Sequence, residues 1–178
     1  FGPAAGDVGD WSAEKRHAYA YALRSLALRG FEAGQFDKGW AYLGEAAALW
    51  PALLASIDTY YEIACAGQPR GSRGHPEGDL LGRNAAALLE GLAALFAGAP
   101  PEVQALRGKA FARGHLAIAM LHDQADDWTA ARRSLWQAVG HDPALLASPG
   151  VARRLVKLSA GQTLVGLLRS AGRRRKST

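Results

Sequence analysis

The six residues PALLAS stand at positions 51–56 and again at positions 143–148, an offset of 92 residues. A six-letter word can recur by chance, but the same offset keeps finding partners upstream of it. Leu43 falls on Leu135, Ala46 on Ala138, Phe36 on Trp128, Ala27 on Ala119 and Tyr19 on Phe111. The matches cover two apolar-periodic segments and the turn between them. The chain therefore carries an internal repeat, the mark of one supersecondary unit used more than once.

Around the repeat, the chain reads as helices punctuated by glycine, proline and aspartate. Asp10 or Ser12 can cap a first helix running to about Phe31, with Tyr19, Ala22, Leu23, Leu26, Ala27 and Gly30 on one stripe. Gly34 ends it, and Asp37 can cap a second helix carrying Trp40, Leu43, Ala47 and Trp50. Pro51 closes that helix, since its ring and missing N–H cannot continue the ladder. A third helix is expected over 52–66, followed by the irregular stretch QPRGSRGHPEG at 68–78. A fourth follows over 79–97, with Leu81, Ala85, Leu88, Leu89, Leu92, Leu95 and Phe96 as its stripe. After the break GAPP come a fifth over 102–122, a sixth over 127–139, a seventh from 144 and a last over 164–171. β-branched residues are sparse and never run together, which argues against strands. The fold class is all-α.

Within each copy, the spacing resembles the tetratricopeptide pattern. Copy one supplies Leu23, Leu26, Ala27, Gly39, Leu43, Ala46 and the closing Pro51; copy two supplies Ile118, Ala119, Ala131, Leu135, Ala138 and Pro143. Small residues are needed where two helix axes approach closely, and larger ones fill the gaps. The first helix lacks the usual aromatic start, and the pair between the copies is divergent. The resemblance implies tetratricopeptide-like hairpins stacked as a short right-handed solenoid with C-terminal capping helices. One domain, 1–178, then holds repeat-like units at about 12–51 and 104–143, a divergent hairpin at 52–98, a cap at 144–172 and a basic tail at 173–178.

The 178 residues suffice for one domain with its own core, without a disulfide or metal staple. The single Cys65 sits in an apolar run and reads as a buried, inert thiol. No stretch reads as the about 18–20 apolar residues of a membrane span, and no charged-then-apolar leader opens the chain. The first residue is Phe1 rather than a methionine, as in a processed product or a piece of a longer polypeptide. The net charge of +5 owes much to Arg169, Arg173, Arg174, Arg175 and Lys176. That tail, AGRRRKST, suits either peripheral contact with a membrane or anionic polymer, or a solubilising end. It lacks the aromatic interleaving that stacks bases, so nucleic acid is not expected as a partner.

No constellation for catalysis, metal or cofactor stands out. HExxH, the phosphate-loop pattern and GxSxG are all missing. His115 and His122 could share a helix face but have no carboxylate at ligand spacing. Asp123, Asp126 and Asp127 offer either a cation site or a helix N-cap, and the cap explains them better. Two candidate binding surfaces remain. One is the glycine-rich stretch with Arg70, Arg73 and His75, whose guanidinium forks suit carboxylate or phosphate, or which is simply a solvated linker. The other is the inner face of the repeats: Tyr21, Arg24 and Leu28 in copy one, and Arg113, Leu116 and Met120 in copy two. That face is either an open groove or filled by the divergent middle unit or by another subunit.

Three segments resemble the C-terminal helical regions of bacterial family 2 glycosyltransferases: 60–81 (YYEIACAGQPRGSRGHPEGDLL), 115–148 and 153–176. In that family, an N-terminal domain with a metal-binding DxD motif performs the sugar transfer. This chain has no DxD and no βαβ alternation, so no catalytic residue carries over. The resemblance implies a non-catalytic accessory or scaffold domain that docks to the catalytic domain, sets oligomeric state or presents the acceptor. Its setting would be the cytoplasm, the inner face of the membrane included. The alternative is a free-standing tetratricopeptide adaptor for a protein partner.

Overall fold

The offset that aligns the sequence also aligns the helices. The structure is a computed structural model that describes residues 12–68 and 78–159. In chain order it contains α1 (Ala13–Glu32), α2 (Phe36–Leu49), a 3-10 turn (Pro51–Ala55), α3 (Ile57–Ala64), α4 (Gly78–Ala97) and α5 (Pro101–Gln104). Then follow α6 (Arg107–Gln124), α7 (Trp128–His141), a second 3-10 turn (Pro143–Ala147) and α8 (149–159). Moved by 92 residues, the bounds of α2 become those of α7, and those of the first 3-10 turn become those of the second. The described residues are helical with turns, as an all-α fold requires.

Backbone detail repeats as well. Trp50 and Asp142, which end α2 and α7, share φ near −143°. Gly34 and Asp126, in the turns inside the two hairpins, have φ of 72° and 58°. Glycine adopts this left-handed conformation without penalty, and aspartate is among the side chains that tolerate it. The caps are less alike. Ser12 accepts the Lys15 N–H at the start of α1, and Asp127 accepts the Ala130 N–H at the start of α7. Asp37 does not cap α2: the cap position is Gln35, and Asp37 lies in the first turn, where its charge still complements the dipole.

Three expected helices are broken, the seventh among them: it begins as the second 3-10 turn, and Ser148 is extended at φ −77°, ψ 118° before α8 starts. The third begins as the first 3-10 turn, because Ser56 is extended at φ −84°, ψ 123° before α3 starts. Tyr60 makes up part of the loss, its hydroxyl donating to the Leu54 carbonyl at 2.7 Å inside the core. The fifth is interrupted at Ala105–Leu106, where the Leu106 N–H turns back to Val103 instead of continuing the α ladder. The Gln104 side chain there donates to the Phe96 carbonyl and ties the break to the end of α4.

α1 packs on α2, and α6 packs on α7. The middle helices α3 and α4 pack on one another and both on α6. Asn84 of α4 donates to the Ala64 and Ala66 carbonyls, closing the C-terminal end of α3. α6 is the centre. Its Ala110, Ala112, Gly114, His115, Leu116, Ala117, Ile118, Ala119 and Leu121 are buried, so it is covered on nearly every side. Small residues allow that close approach. One core, toward α1–α4, gathers Phe31, Leu43, Leu54, Tyr60, Leu88, Ile118 and Leu121. A second, toward α7 and α8, gathers Leu116, Leu135, Val139, Leu145, Val151 and Leu155. Cys65 is buried, as its apolar run implied.

By length and composition alone, α4 is long and apolar enough to cross a membrane, a property the sequence reading did not assign to it. Leu81, Leu88, Leu92 and Phe96 on that helix are buried in the core.

Copy one has Gly39 and Phe31 where copy two has Ala131 and Asp123. The Phe31 ring lies on the bare Cα of Gly39, and a Cβ built there would meet ring carbons at 2.6–2.8 Å. Asp123 has no ring and instead pairs with Lys157 at 2.8 Å and Arg154 at 3.6 Å on α8. Ala131 keeps its methyl group. Each hairpin has settled its own close approach by a different pair.

Candidate functional site

Arg70, Arg73 and His75 lie outside the described residues. The other candidates fall on α1 and α6, and their environments differ. Tyr21 is exposed, its ring edge-on to His17 at 4.7 Å. Arg24 points at α3 and donates through Nε to the Thr59 hydroxyl at 2.8 Å. Leu28 packs against the main core. On α6, Arg113 and Met120 are half-buried, and Leu116 is buried with Val151 and Leu155 of α8. Thr59 and Val151 are themselves 92 residues apart, so α3 and α8 stand in the same relation to their hairpins. Along the middle of the expected inner face, α3 thus meets Arg24, and α8 meets Leu116.

An open concavity lies elsewhere, between α2 and α4. It has a volume of about 580 Å³. Trp40, Ala41, Gly44, Ala87, Gly91, Ala94 and Leu95 form its apolar floor and walls. The Trp40 indole rests on the bare Cα of Gly91, where a Cβ would come within 1.9–2.3 Å of ring atoms. Asp37, Glu45 and Glu90 stand at the rim, all exposed, and among the described residues no basic side chain lines the groove. The local charge is therefore opposite to the net +5 of the chain. Next to it, Phe31, Gly34, Ala66, Gly67, Arg83 and Asn84 line a second hollow that shares Phe36 and Ala87 with the groove.

Sequence reading missed this groove because it searched the first helix of each copy. A signal was present in the second. At equivalent positions α2 has Trp40 and Gly44, whereas α7 has Arg132 and Trp136, so the two outer faces were given different surfaces.

The titratable groups have structural partners. His115 is buried and stacks on His141, with ring centroids 5.4 Å apart and planes within 10°. Phe111 stacks on the same His141 at 5.2 Å. Burial first, and the neighbouring His141 second, push the His115 pKa down to about 4. Burial also lowers His122, against the opposing charge of Asp127 3.5 Å away. Burial raises the phenol of Tyr60 above its usual range. In the acidic cluster, Asp127 caps α7 and Asp123 is held by two bases. Among the described residues, no three His, Cys, Asp or Glu side chains converge as metal ligands would.

No protein-family model, curated protein or solved structure matches the chain.

Proposed function

We propose that this chain is a non-catalytic docking scaffold, the helical accessory region of a bacterial family 2 glycosyltransferase, seated against the catalytic domain of the same polypeptide. The observation that carries docking is the α2–α4 groove, with its apolar floor and acidic rim. Such a cleft suits a partner segment that inserts a large apolar side chain and sets arginine or lysine against the carboxylates. Support for a tetratricopeptide-like stack comes from the duplicated hairpins and from the small residues at matched positions, Ala27 with Ala119 and Ala46 with Ala138. Support for the glycosyltransferase setting comes from the resemblance of segments 60–81, 115–148 and 153–176.

In this reading α6 is the spine that fixes the two hairpins, and the sugar chemistry belongs to the other domain. A free-standing adaptor is the second reading, since the groove requires a partner but not one on the same chain. An antibody raised against this chain separates the two when used on extracts of the source cells. The accessory reading expects a band heavier by a domain of about 100–150 residues or more. A band near 18.8 kDa would remove that reading and leave the adaptor.

A further inference from the structure

We propose that copies of this chain stack head to tail, the outer face of α1 in one copy seating on α8 and the second 3-10 turn of the next. Among the described residues, five large hydrophobic side chains stand exposed: Tyr21, Leu26, Trp136, Leu146 and Val156. Three of them have partners, 92 residues away, that are buried where the two units of the chain meet. Leu26 is 42% exposed, and its counterpart Ile118 is 3% exposed. Leu146 is 47% exposed, and its counterpart Leu54 is 0% exposed. Val156 is 66% exposed, and its counterpart Ala64 is 0% exposed.

The buried counterparts belong to one interface. Ile118 on α6, Leu54 on the first 3-10 turn and Ala64 on α3 share the main core, where α6 packs on both other elements. Its two sides are each repeated in the chain. α1 repeats the α6 side: Ala110 and Ile118 are buried in the main core, and the matching Ala18 and Leu26 keep the small and branched order but are exposed. The second 3-10 turn and α8 repeat the other side through Leu146 and Val156, also exposed. Each copy thus presents both halves of an interface that it already closes once internally. A second copy supplies to each open face the surface that its counterpart already accepts, which makes the contact heterologous and self-propagating rather than a closed two-fold dimer.

The seat is smaller than the internal one, because α4 also covers α6 and has no counterpart among the described residues. It belongs to the weak class of interfaces, below about 1,200 Å². This inference does not rest on the glycosyltransferase reading.

Sedimentation velocity of the full chain, up to roughly millimolar concentration, tests it together with Leu26→Glu and Val156→Glu. Both side chains are exposed, so the variants should keep the wild-type helical spectrum and melting midpoint. The expected result is a wild-type mass that climbs with concentration past twice 18.8 kDa, while each variant alone loses the growth. Mixing the two variants should restore pairs and nothing larger, because each retains one intact face. A wild type that stays monomeric or stops at a dimer would overturn the proposal. So would variants that assemble like the wild type, or a mixture that stays monomeric.

Discussion

Gly39→Ala should destabilise the protein although it replaces glycine inside a helix. Helix propensity alone favours alanine by about 1 kcal/mol. The new methyl carbon, however, would lie 2.6, 2.7 and 2.8 Å from Cε1, Cδ1 and Cζ of Phe31. Ordinary contact needs 3.4 Å or more, so ring or helix must move by several tenths of an ångström. The ring has little room: Phe31 is 1% exposed, with the rings of Phe36 at 5.6 Å and Trp40 at 5.3 Å. The helices are also held at a close approach: even a Cβ built on Gly30 would fall 3.1–3.2 Å from the Gly39 backbone, so making room for the methyl means parting packed helices. Overpacking of this kind costs about 1–3 kcal/mol. Set against the propensity gain, the net loss is about 1 kcal/mol, or about 2–4 °C in the melting midpoint of a chain this size. In copy two, where Asp123 replaces the ring, the same exchange runs the other way: Ala131→Gly should also destabilise, by about 1 kcal/mol. Urea and thermal unfolding of both variants, and of Gly39→Ala combined with Phe31→Leu, provide the assay. Measured against Phe31→Leu alone, the Gly39→Ala exchange should cost little, a coupling of about 1 kcal/mol. A higher midpoint for Gly39→Ala alone would refute the reasoning.

Tyr60→Phe should cost about 1 kcal/mol in urea unfolding, since it leaves the buried Leu54 carbonyl without its donor. Replacing Asp126, whose φ is 58°, by glycine should raise stability by about 0.5–1 kcal/mol, read as a higher midpoint, because copy one uses Gly34 there. His115, with its pKa pushed down to about 4, is neutral in the fold while the unfolded chain takes up its proton near 6.5. The unfolded state therefore binds more protons in that window, and the His115 contribution to stability should fall by about 2 kcal/mol as pH drops from 6.5 to 4, with His122, also lowered by burial, adding in the same sense. His115→Leu copies Leu23 of the first hairpin, and its midpoint should vary less over the same pH range.

The paired hairpins were legible in the sequence because their signal is redundant: the repeated PALLAS, the matched alanines and the closing prolines all point one way. Two of the bounds that went wrong lie where a side chain bonds a backbone carbonyl across the break. Ser56 leaves the helical ladder between the 3-10 turn and α3, and Tyr60 then ties back the Leu54 carbonyl. Gln104 pins the break between α5 and α6 to the end of α4. Neither bond can be read from spacing, since each depends on what lies across the turn. The groove was hidden for a related reason. Trp40 on Gly91 is a contact between helices far apart in sequence, and neither residue marks a site by itself. The differing role of the copies' faces became visible only with burial, when Leu26, Leu146 and Val156 proved exposed and their counterparts did not.

Docking through the α2–α4 groove is tested most directly by hydrogen exchange. The 178-residue chain is compared with the native polypeptide immunopurified from source cells together with whatever is bound to it. Slower exchange in the native form across Phe36–Leu49 and the groove-lining half of α4, with α7 unchanged, is the predicted result. Identical exchange in α2 and α4 in the two samples would contradict the account.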